Sequence, residues 1–153
     1  MSRREKSLSA VNETPLVSVI IPTFNRAWAV GKAVDSVLAQ NYPNVELIVV
    51  DDGSTDATRS LLSAYADRIV CIRQRNQGVS AARNRGVEAS AGDLIAFLDS
   101  DDYWLPGKLS EQVRFFDAHP DALICQTEEI WVRNGRRVNP RRRHQKPAGD
   151  IFI

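Results

Sequence analysis

Short runs of apolar, mostly β-branched residues alternate along the chain with longer stretches in which apolar residues recur every three or four positions. The short runs are typical of strands buried in a parallel sheet, and the longer stretches of amphipathic helices. This alternation predicts an α/β fold, with a mainly parallel, Rossmann-like sheet that carries helices on both faces. The predicted strands are residues 17–22, 45–50, 68–74 and 93–98, and the predicted helices are residues 25–40, 57–66, 79–91 and 106–118.

Two residues set the predicted beginnings of the first and fourth helices. Asn25 can cap a helix through its side-chain oxygen, and Pro106 suits a first helical turn. After the fourth helix the pattern changes. Residues 122–132 predict a longer strand, and the Asn134-Gly135 pair predicts the tight turn of a hairpin.

The chain of 153 residues is long enough for one domain with a hydrophobic core. Residues 1–15 predict a flexible lead-in, residues 16–132 the α/β domain, and residues 133–153 a basic stretch. The sequence stops at DIFI, which reads as the beginning of an element. We therefore expect the chain to be the N-terminal part of a longer protein, truncated at its C-terminal side.

The charge of the chain is unevenly distributed. The net charge is +1, but residues 133–146 hold seven Lys or Arg and no acid, which leaves 13 basic against 19 acidic residues elsewhere. The basic run can contact anionic lipid, or form a surface loop that faces an acidic neighbour. It lacks interleaved aromatic residues, and we expect no nucleic acid partner.

The two cysteines, Cys71 and Cys125, lie in strand-like runs without CxxC spacing. They predict buried thiols in a reduced, cytoplasmic protein. No apolar run approaches the roughly 20 residues that span a bilayer, and the first residues lack the apolar core of a signal peptide. The predicted location is the cytoplasm, with peripheral contact at the inner face of the membrane left open.

Polar residues gather where each predicted strand ends. Because ligands bind beyond the carboxyl ends of parallel strands, we expect these clusters to share one edge of the sheet. The four clusters are PTFN at 22–25, DDGS at 51–54, RNQG at 75–78 and DSDD at 99–102.

Asp99 and Asp101 are the candidate metal ligands. Residues two apart point to the same side of an extended chain, and paired carboxylates suit a hard cation such as Mg²⁺ or Mn²⁺. Such a metal would neutralise a diphosphate and stabilise it as a leaving group. Alternatively, the carboxylates form a solvated loop in which Asp102 caps the following helix.

The other polar residues also leave alternatives open. Asp51 and Asp52 either stabilise a turn or accept a hydrogen bond from a nucleobase or ribose. Arg83 contacts a phosphate, pairs with a nearby aspartate, or lies on a solvated face of its helix. Tyr103 and Trp104 either wall a sugar or base, or pack in the core.

Several common site types are excluded by their missing motifs. The sequence has no GxGxxG or P-loop for a dinucleotide or nucleoside triphosphate, and no GxSxG for a hydrolase. His119 and His144 have no partner at metal or triad spacing. We assign no catalytic role to either histidine.

Taken together, the clusters resemble the family 2 glycosyltransferases of the GT-A fold. The matching stretches cover residues 17–109 in the order of the family. They are VSVIIPTFNR, SVLAQNYPNVELIVVDDGSTDAT and NQGVSAARNRGVEASAGDLIAFLDSDDYWLPGKL. The resemblance implies that 16–132 bind a nucleotide-diphospho-sugar, often a UDP-sugar, with Mn²⁺ or Mg²⁺. It also implies that 133–153 begin an acceptor-binding half.

The resemblance also implies roles for individual residues. Asp52, with Asp51 beside it, would contact the base. Asp99 and Asp101 would serve the ribose, the metal and the diphosphate, with Asp101 as the main metal ligand. The remaining implied nucleotide-binding residues are Pro22, Thr23 and Phe24 in the nucleoside pocket, Ser100, and Arg83. Ser100 is the middle residue of the DxD motif, which is Asp99-Ser100-Asp101.

One departure from the family pattern concerns the catalytic base. Inverting members use a carboxylate well downstream to deprotonate the acceptor hydroxyl. Glu128 and Glu129 fall too early and in a predicted strand, so we expect the base beyond Ile153 and leave the catalytic residue unassigned. The acceptor, whether saccharide, lipid-linked or protein, is not predicted, and self-association through exposed apolar surface stays open.

Two other functions remain open at this point. The chain can be a module that binds a nucleotide sugar without transferring it, because the base is missing. A sugar nucleotidyltransferase is a third alternative, but PTFNRAW after the first strand does not supply the glycine-rich, basic loop that such an enzyme needs.

Overall fold

The computed structural model describes residues 14–138, which divide into two compact units between Arg114 and Phe115. The helix α4 begins in the first unit and ends in the second. The strands are β1 Val17–Thr23, β2 Val45–Asp51, β3 Val70–Arg73, β4 Leu94–Phe97, β5 Trp131–Arg133 and β6 Arg136–Val138. The helices are α1 Val30–Leu38, α2 Thr58–Ser63, α3 Val79–Ala89 and α4 Lys108–Ala118, with a 3₁₀ turn at Ala66–Arg68.

The first unit is built on a four-stranded sheet in the order β3-β2-β1-β4, and every neighbouring pair is parallel. Thr23 at the end of β1 lies opposite Asp51 at the end of β2, and Asp51 lies opposite Arg73 of β3. The predicted parallel α/β sheet is confirmed. Its carboxyl ends share one edge, as the strand-end clusters require.

Alternate residues of each strand pack against helices on opposite faces of the sheet. Val19 and Ile21 belong to a core with α1, α2 and α4, whereas Ile20 packs with Ala82 of α3. A Cβ atom at Gly86 of α3 would overlap the Ile20 side chain. Glycine at this position therefore lets α3 lie close to the sheet.

The amino edge of the sheet fixes the chain between α3 and β4. Ser18 of β1 donates a hydrogen bond to Glu46 of β2, and Ser18 Oγ accepts one of 2.8 Å from the Gly92 amide. Glu46 also accepts a 2.6 Å hydrogen bond from the Ala91 amide. The end of α3 is therefore tied to the sheet at the edge opposite the strand-end clusters.

Two predicted helix beginnings are wrong. Asn25 does not cap α1, which begins five residues later at Val30 with no side-chain cap, because Asn25 has a φ of 50° and its side chain bonds elsewhere. The fourth helix begins at Lys108, beyond Pro106. Gly107 has a φ of 85°, which helical backbone cannot adopt.

The predicted long strand at 122–132 is also wrong, whereas the predicted hairpin is confirmed. Of residues 122–132, only Trp131 and Val132 lie in a strand, as part of β5, which pairs antiparallel with β6. Asn134 and Gly135 join the two strands with φ values of 50° and 72°, as a tight primed turn requires. Residues 122–130 have no pairing strand among residues 14–138, and an apolar run forms a strand only when another strand pairs with it.

The prediction of buried thiols is wrong as well. Cys71 is exposed because β3 is an edge strand of the sheet, and Cys125 is partly exposed. Over residues 14–138, no helix has both the length and the apolar character needed to cross a membrane.

Candidate functional site

The loop between β1 and α1 is hydrogen-bonded to the loop between β2 and α2. The Asn25 amide donates to Ser54 Oγ at 2.9 Å, and Asn25 Oδ1 accepts from the Thr55 amide at 2.8 Å. The Arg26 amide donates to the buried Thr58 Oγ1 at 3.0 Å. The first two strand-end clusters therefore form one connected surface, in which Asn25 links loops and does not cap a helix.

Asp56 strengthens this link between the loops. Its Oδ2 accepts a hydrogen bond of 3.1 Å from the Ala27 amide, and its Oδ1 accepts one of 2.9 Å from the Thr58 amide. Hydrogen bonds from the Thr58 hydroxyl and amide, and from Ala27, hold the pKa of Asp56 below its ordinary value of 3.8. The Asp56 carboxylate is therefore charged at neutral pH while it holds the two loops together.

Asp52 is buried and holds the loop that leads into α3. Its Oδ1 accepts hydrogen bonds from Gln74 Nε2 at 2.8 Å and from the Gln77 amide at 2.9 Å, and its Oδ2 accepts one from the Gly78 amide at 2.8 Å. A carboxylate offers about four lone-pair sites. The geometry therefore leaves room for one further donor, on Oδ2.

Asp51 and Thr23 each bury one oxygen that has no hydrogen-bond partner among residues 14–138. Asp51 Oδ1 accepts from the Ser54 amide at 2.9 Å, but Asp51 Oδ2 has only the Arg73 guanidinium, whose Nε is 3.8 Å away. Thr23 Oγ1 likewise has no partner in that range. Because buried polar atoms are normally satisfied, this end of β1 and β2 is suited to receive polar groups of a ligand.

The DxD residues lie on a turn, so the expected placement on an extended strand is wrong. The strand β4 ends at Phe97, and the Asp102 amide donates to the Asp99 carbonyl at 3.0 Å. The Asp102 amide thus closes the turn, and α4 begins six residues later, at Lys108. Ser100 is buried within the turn.

Each DxD carboxylate faces an arginine from another part of the fold. Arg83 Nη2 of α3 donates to Asp99 Oδ1 at 2.6 Å, which realises the ion-pair alternative for this residue. Arg26 Nε of the β1–α1 loop lies 3.8 Å from Asp101 Oδ2. The sequence pattern did not single out Arg26, although it follows PTFN directly.

The helix α1 and the residues just after it hold the segment that follows the DxD turn. The Trp104 amide donates to Ser36 Oγ at 3.0 Å. Gln40 donates from Nε2 to the Leu105 carbonyl at 3.0 Å and accepts from the Leu109 amide at 3.2 Å. Trp104 itself is buried in the core, so its packing role is confirmed. Sequence reasoning missed Ser36 and Gln40, for which helix periodicity gives no signal beyond a polar face.

Aromatic side chains are exposed beside these loops. Phe24 and Tyr103 are about half exposed, and Trp28 is 75% exposed. Lys32 Nζ lies 3.5 Å from the centre of the Tyr103 ring. Pro22 is buried at the end of β1. Of the three predicted nucleoside-pocket residues, Phe24 is therefore the most exposed, whereas Pro22 and Thr23 are buried.

The residues present fit a divalent cation that is coordinated partly by the protein and partly by phosphate oxygens of a ligand. No group of three or more metal-ligating side chains occurs between residues 14 and 138. Asp99 and Asp101 are nevertheless half-exposed carboxylates on one turn. Mg²⁺ and Mn²⁺ are typically bound by one or two carboxylates and keep their other positions for phosphate and water.

Comparison with known sequences places this arrangement in a family. The sequence profile of glycosyl transferase family 2 matches residues 18–151. A putative teichuronic acid biosynthesis glycosyltransferase, TuaG of Bacillus subtilis, is 45% identical over 128 residues, which are 81% of this chain and 51% of that protein. The Escherichia coli enzyme WfaP, a UDP-Glc:α-D-GlcNAc-diphosphoundecaprenol β-1,3-glucosyltransferase, is 42% identical over 104 residues, 67% of this chain and 41% of WfaP.

Solved structures are similar to the same region. Residues 1–349 of S. aureus TarS in complex with UDP-GlcNAc match 69% of this chain and 32% of that one, with a TM-score of 0.62 and 30% identity. The mannosyltransferase PcManGT of Pyrobaculum calidifontis, in complex with GDP-Man and Mn²⁺, matches 67% of this chain and 32% of its own, with a TM-score of 0.61 and 28% identity. These neighbours confirm the predicted GT-A fold.

The chain spans about half the length of the curated relatives that it matches. Its match to the family profile nevertheless covers most of its own residues and includes every strand-end cluster described above. The chain belongs to glycosyl transferase family 2.

Proposed function

We propose that this chain binds a nucleotide-diphospho-sugar, specifically a UDP-sugar, and is the donor-binding part of an inverting, metal-assisted glycosyltransferase. The observation that carries the proposal is the meeting of four strand-end clusters at one edge of a parallel sheet, with Arg83 and Arg26 ion-paired to the two DxD carboxylates. Basic groups and carboxylates in contact are the parts that a metal diphosphate needs.

The nucleoside would bind at the ends of β1 and β2. Thr23 Oγ1 and Asp51 Oδ2 are buried oxygens that a polar ligand group would satisfy. Asp52 Oδ2 keeps one lone pair for a base N–H. Phe24 offers an exposed ring, and Pro22 shapes the wall behind it.

The diphosphate would bind over the DxD turn. Asp99 and Asp101 would hold Mn²⁺ or Mg²⁺, and Ser100 is buried between them. When bound, the cation would neutralise the diphosphate and so stabilise it as a leaving group. Arg83 would turn its guanidinium from Asp99 to a phosphate oxygen, because its geometry suits both anions.

The choice of UDP over other nucleotides is supported by two relatives. WfaP is named as a UDP-Glc transferase, and TarS has been crystallised with UDP-GlcNAc. The metal is supported by the complex of PcManGT with GDP-Man and Mn²⁺. The sugar and the acceptor of this protein are not assigned.

Inversion requires a base that deprotonates the acceptor hydroxyl as it attacks the sugar carbon in line with the departing diphosphate. Glu128 and Glu129 directly precede the β5–β6 hairpin of the second unit, and we assign neither as the base. We propose that the base lies beyond Ile153, in the acceptor-binding half of a longer protein.

Calorimetric titration of the chain with UDP, with and without Mn²⁺, tests the donor site. We expect metal-dependent binding that Asp101→Ala weakens at least tenfold, whereas Asp117→Ala, at an exposed position of α4, leaves it unchanged. Equal UDP affinity with and without Mn²⁺ would remove the metal from the proposal. No UDP binding at all would overturn the donor site.

The second candidate function is binding of a nucleotide sugar without transfer, which the chain length relative to its relatives favours for the 153 residues alone. Release of UDP from UDP-GlcNAc and UDP-Glc, with and without added saccharides, separates the two. We expect little or no turnover by this chain. Robust transfer would place the base within these 153 residues.

A further inference from the structure

Arg26 bridges three strand ends of the sheet. Its backbone amide is fixed to Thr58 of α2 at 3.0 Å, while its guanidinium extends to Asp101 of the turn after β4. The side chains of Arg26 and Asp101 are 42% and 47% exposed. The residue thus combines a rigidly held backbone with a side chain that can change partners.

The two DxD carboxylates are each paired with an arginine from a different part of the fold. Arg83 of α3 reaches Asp99, and Arg26 of the β1–α1 loop reaches Asp101. An exposed ion pair at 3.8 Å contributes little to stability, so its exchange for another partner is easy. The guanidinium fork binds phosphate oxygens as readily as carboxylate oxygens.

We propose that Arg26 is a diphosphate-binding residue that serves as the counter-ion of Asp101 until the nucleotide arrives. The inference rests on the proposed function, because it takes Asp101 as a metal ligand. With a divalent cation bound, Asp101 would no longer need Arg26 as its counter-ion. The released guanidinium would then be free to donate to a phosphate oxygen of a diphosphate bound at the same turn.

This role makes two affinities change in opposite directions when the charge is removed. In Arg26→Gln, Asp101 loses its competing counter-ion, so Mn²⁺ alone binds about threefold more tightly. The same variant loses a charge-assisted hydrogen bond to the diphosphate, so UDP with Mn²⁺ binds about tenfold more weakly. Binding of uridine, which has no phosphate, stays unchanged.

The experiment measures Mn²⁺ binding by electron paramagnetic resonance, and UDP and uridine binding by calorimetry, on the wild-type chain and three variants. Arg114→Gln is the matched control, because Arg114 is an exposed arginine that pairs with Glu111 of its own helix. Arg26→Lys keeps the charge without the fork, so we expect its Mn²⁺ affinity to stay near wild type and its UDP affinity to fall by less than in Arg26→Gln.

Each outcome decides the inference. A wild-type chain that binds no UDP overturns the proposed function, and the inference with it. If wild type binds UDP but Arg26→Gln matches Arg114→Gln, the proposed function stands and Arg26 has no role. Parallel loss of Mn²⁺, UDP and uridine binding indicates a structural role and also overturns the inference, as does weaker UDP binding without tighter Mn²⁺ binding.

Discussion

Asp52 Oδ2 accepts a hydrogen bond of 2.8 Å from the backbone amide of Gly78, the residue immediately before α3. One buried carboxylate at the end of β2 thereby determines where α3 begins. Gly78 has a φ of 90°, a conformation that glycine adopts without strain. The position of Arg83, about one turn along α3, depends on this contact.

Replacing Asp52 by Asn is expected to lower the free energy of unfolding by about 1–3 kcal/mol, because an amide nitrogen would face a backbone N–H in either orientation and leave a buried donor unsatisfied. Urea denaturation measures the change. Asp121→Asn, at an exposed position of the second unit, is the control and should stay within about 0.5 kcal/mol of wild type. Equal stability of the two variants would show that the Asp52 contacts are replaceable.

Two glycine-to-alanine substitutions should have opposite effects on stability. Gly86→Ala places a methyl group in the Ile20 side chain, and we expect a loss of about 1–3 kcal/mol. Gly31→Ala in α1 meets the Tyr65 hydroxyl oxygen at 3.4 Å and should gain up to about 1 kcal/mol from helix propensity. Thermal and urea unfolding of both variants check the signs. A neutral Gly86→Ala would mean that α3 can move away from the sheet at little cost.

Tyr65 predicts a loss of stability at alkaline pH. Burial, and the 3.0 Å hydrogen bond that its hydroxyl donates to Asp35 Oδ1, raise the pKa of Tyr65 above 10.0. Because the folded-state pKa is the higher one, the contribution to stability is fully present below pH 10 and is lost as pH rises through the raised value. Urea unfolding of wild type and Tyr65→Phe between pH 8 and pH 11 should therefore converge at the alkaline end. Parallel curves would mean that the pKa of Tyr65 is the same in the folded and unfolded chains, against the raised value expected here.

Asp56 predicts the corresponding effect in acid. Its pKa is lowered by hydrogen bonds from Thr58 and Ala27, so its contribution to stability is present above pH 3.8 and is lost as pH falls through the lowered value. The Asp56→Asn variant should be less stable than wild type at pH 6. Below the lowered pKa of Asp56 the two proteins should be equally stable. Urea unfolding between pH 2 and pH 6 measures this. A difference that persists unchanged at pH 2 would show that the loss comes from packing and not from charge.

The sheet and the shared edge of the strand-end clusters could be predicted from the sequence. Apolar, β-branched runs that alternate with helical stretches indicate parallel strands, and parallel strands place their carboxyl ends at one edge. The first turn of α1 was not, because Asn25 has equally good acceptor chemistry for a cap and for the Thr55 amide, and only tertiary structure chooses between them. The strand at 122–132 failed for a related reason, since a strand depends on a neighbour that local sequence does not name. The contact between Arg26 and Asp101 joins residues far apart in the chain, and no local pattern encodes it.

Two carboxylates, one in β2 and one in the residue just after it, hold the chain at the two ends of α3. Asp52, which follows β2, accepts a hydrogen bond from the Gly78 amide before the helix, and Glu46 of β2 accepts one from the Ala91 amide just beyond it. A helix whose two ends are both hydrogen-bonded to the same part of the sheet has little freedom to slide or tilt. We therefore expect the backbone of α3 to stay in place when a ligand binds. The site would then adjust to its ligand through rotamer changes of the Arg83 side chain.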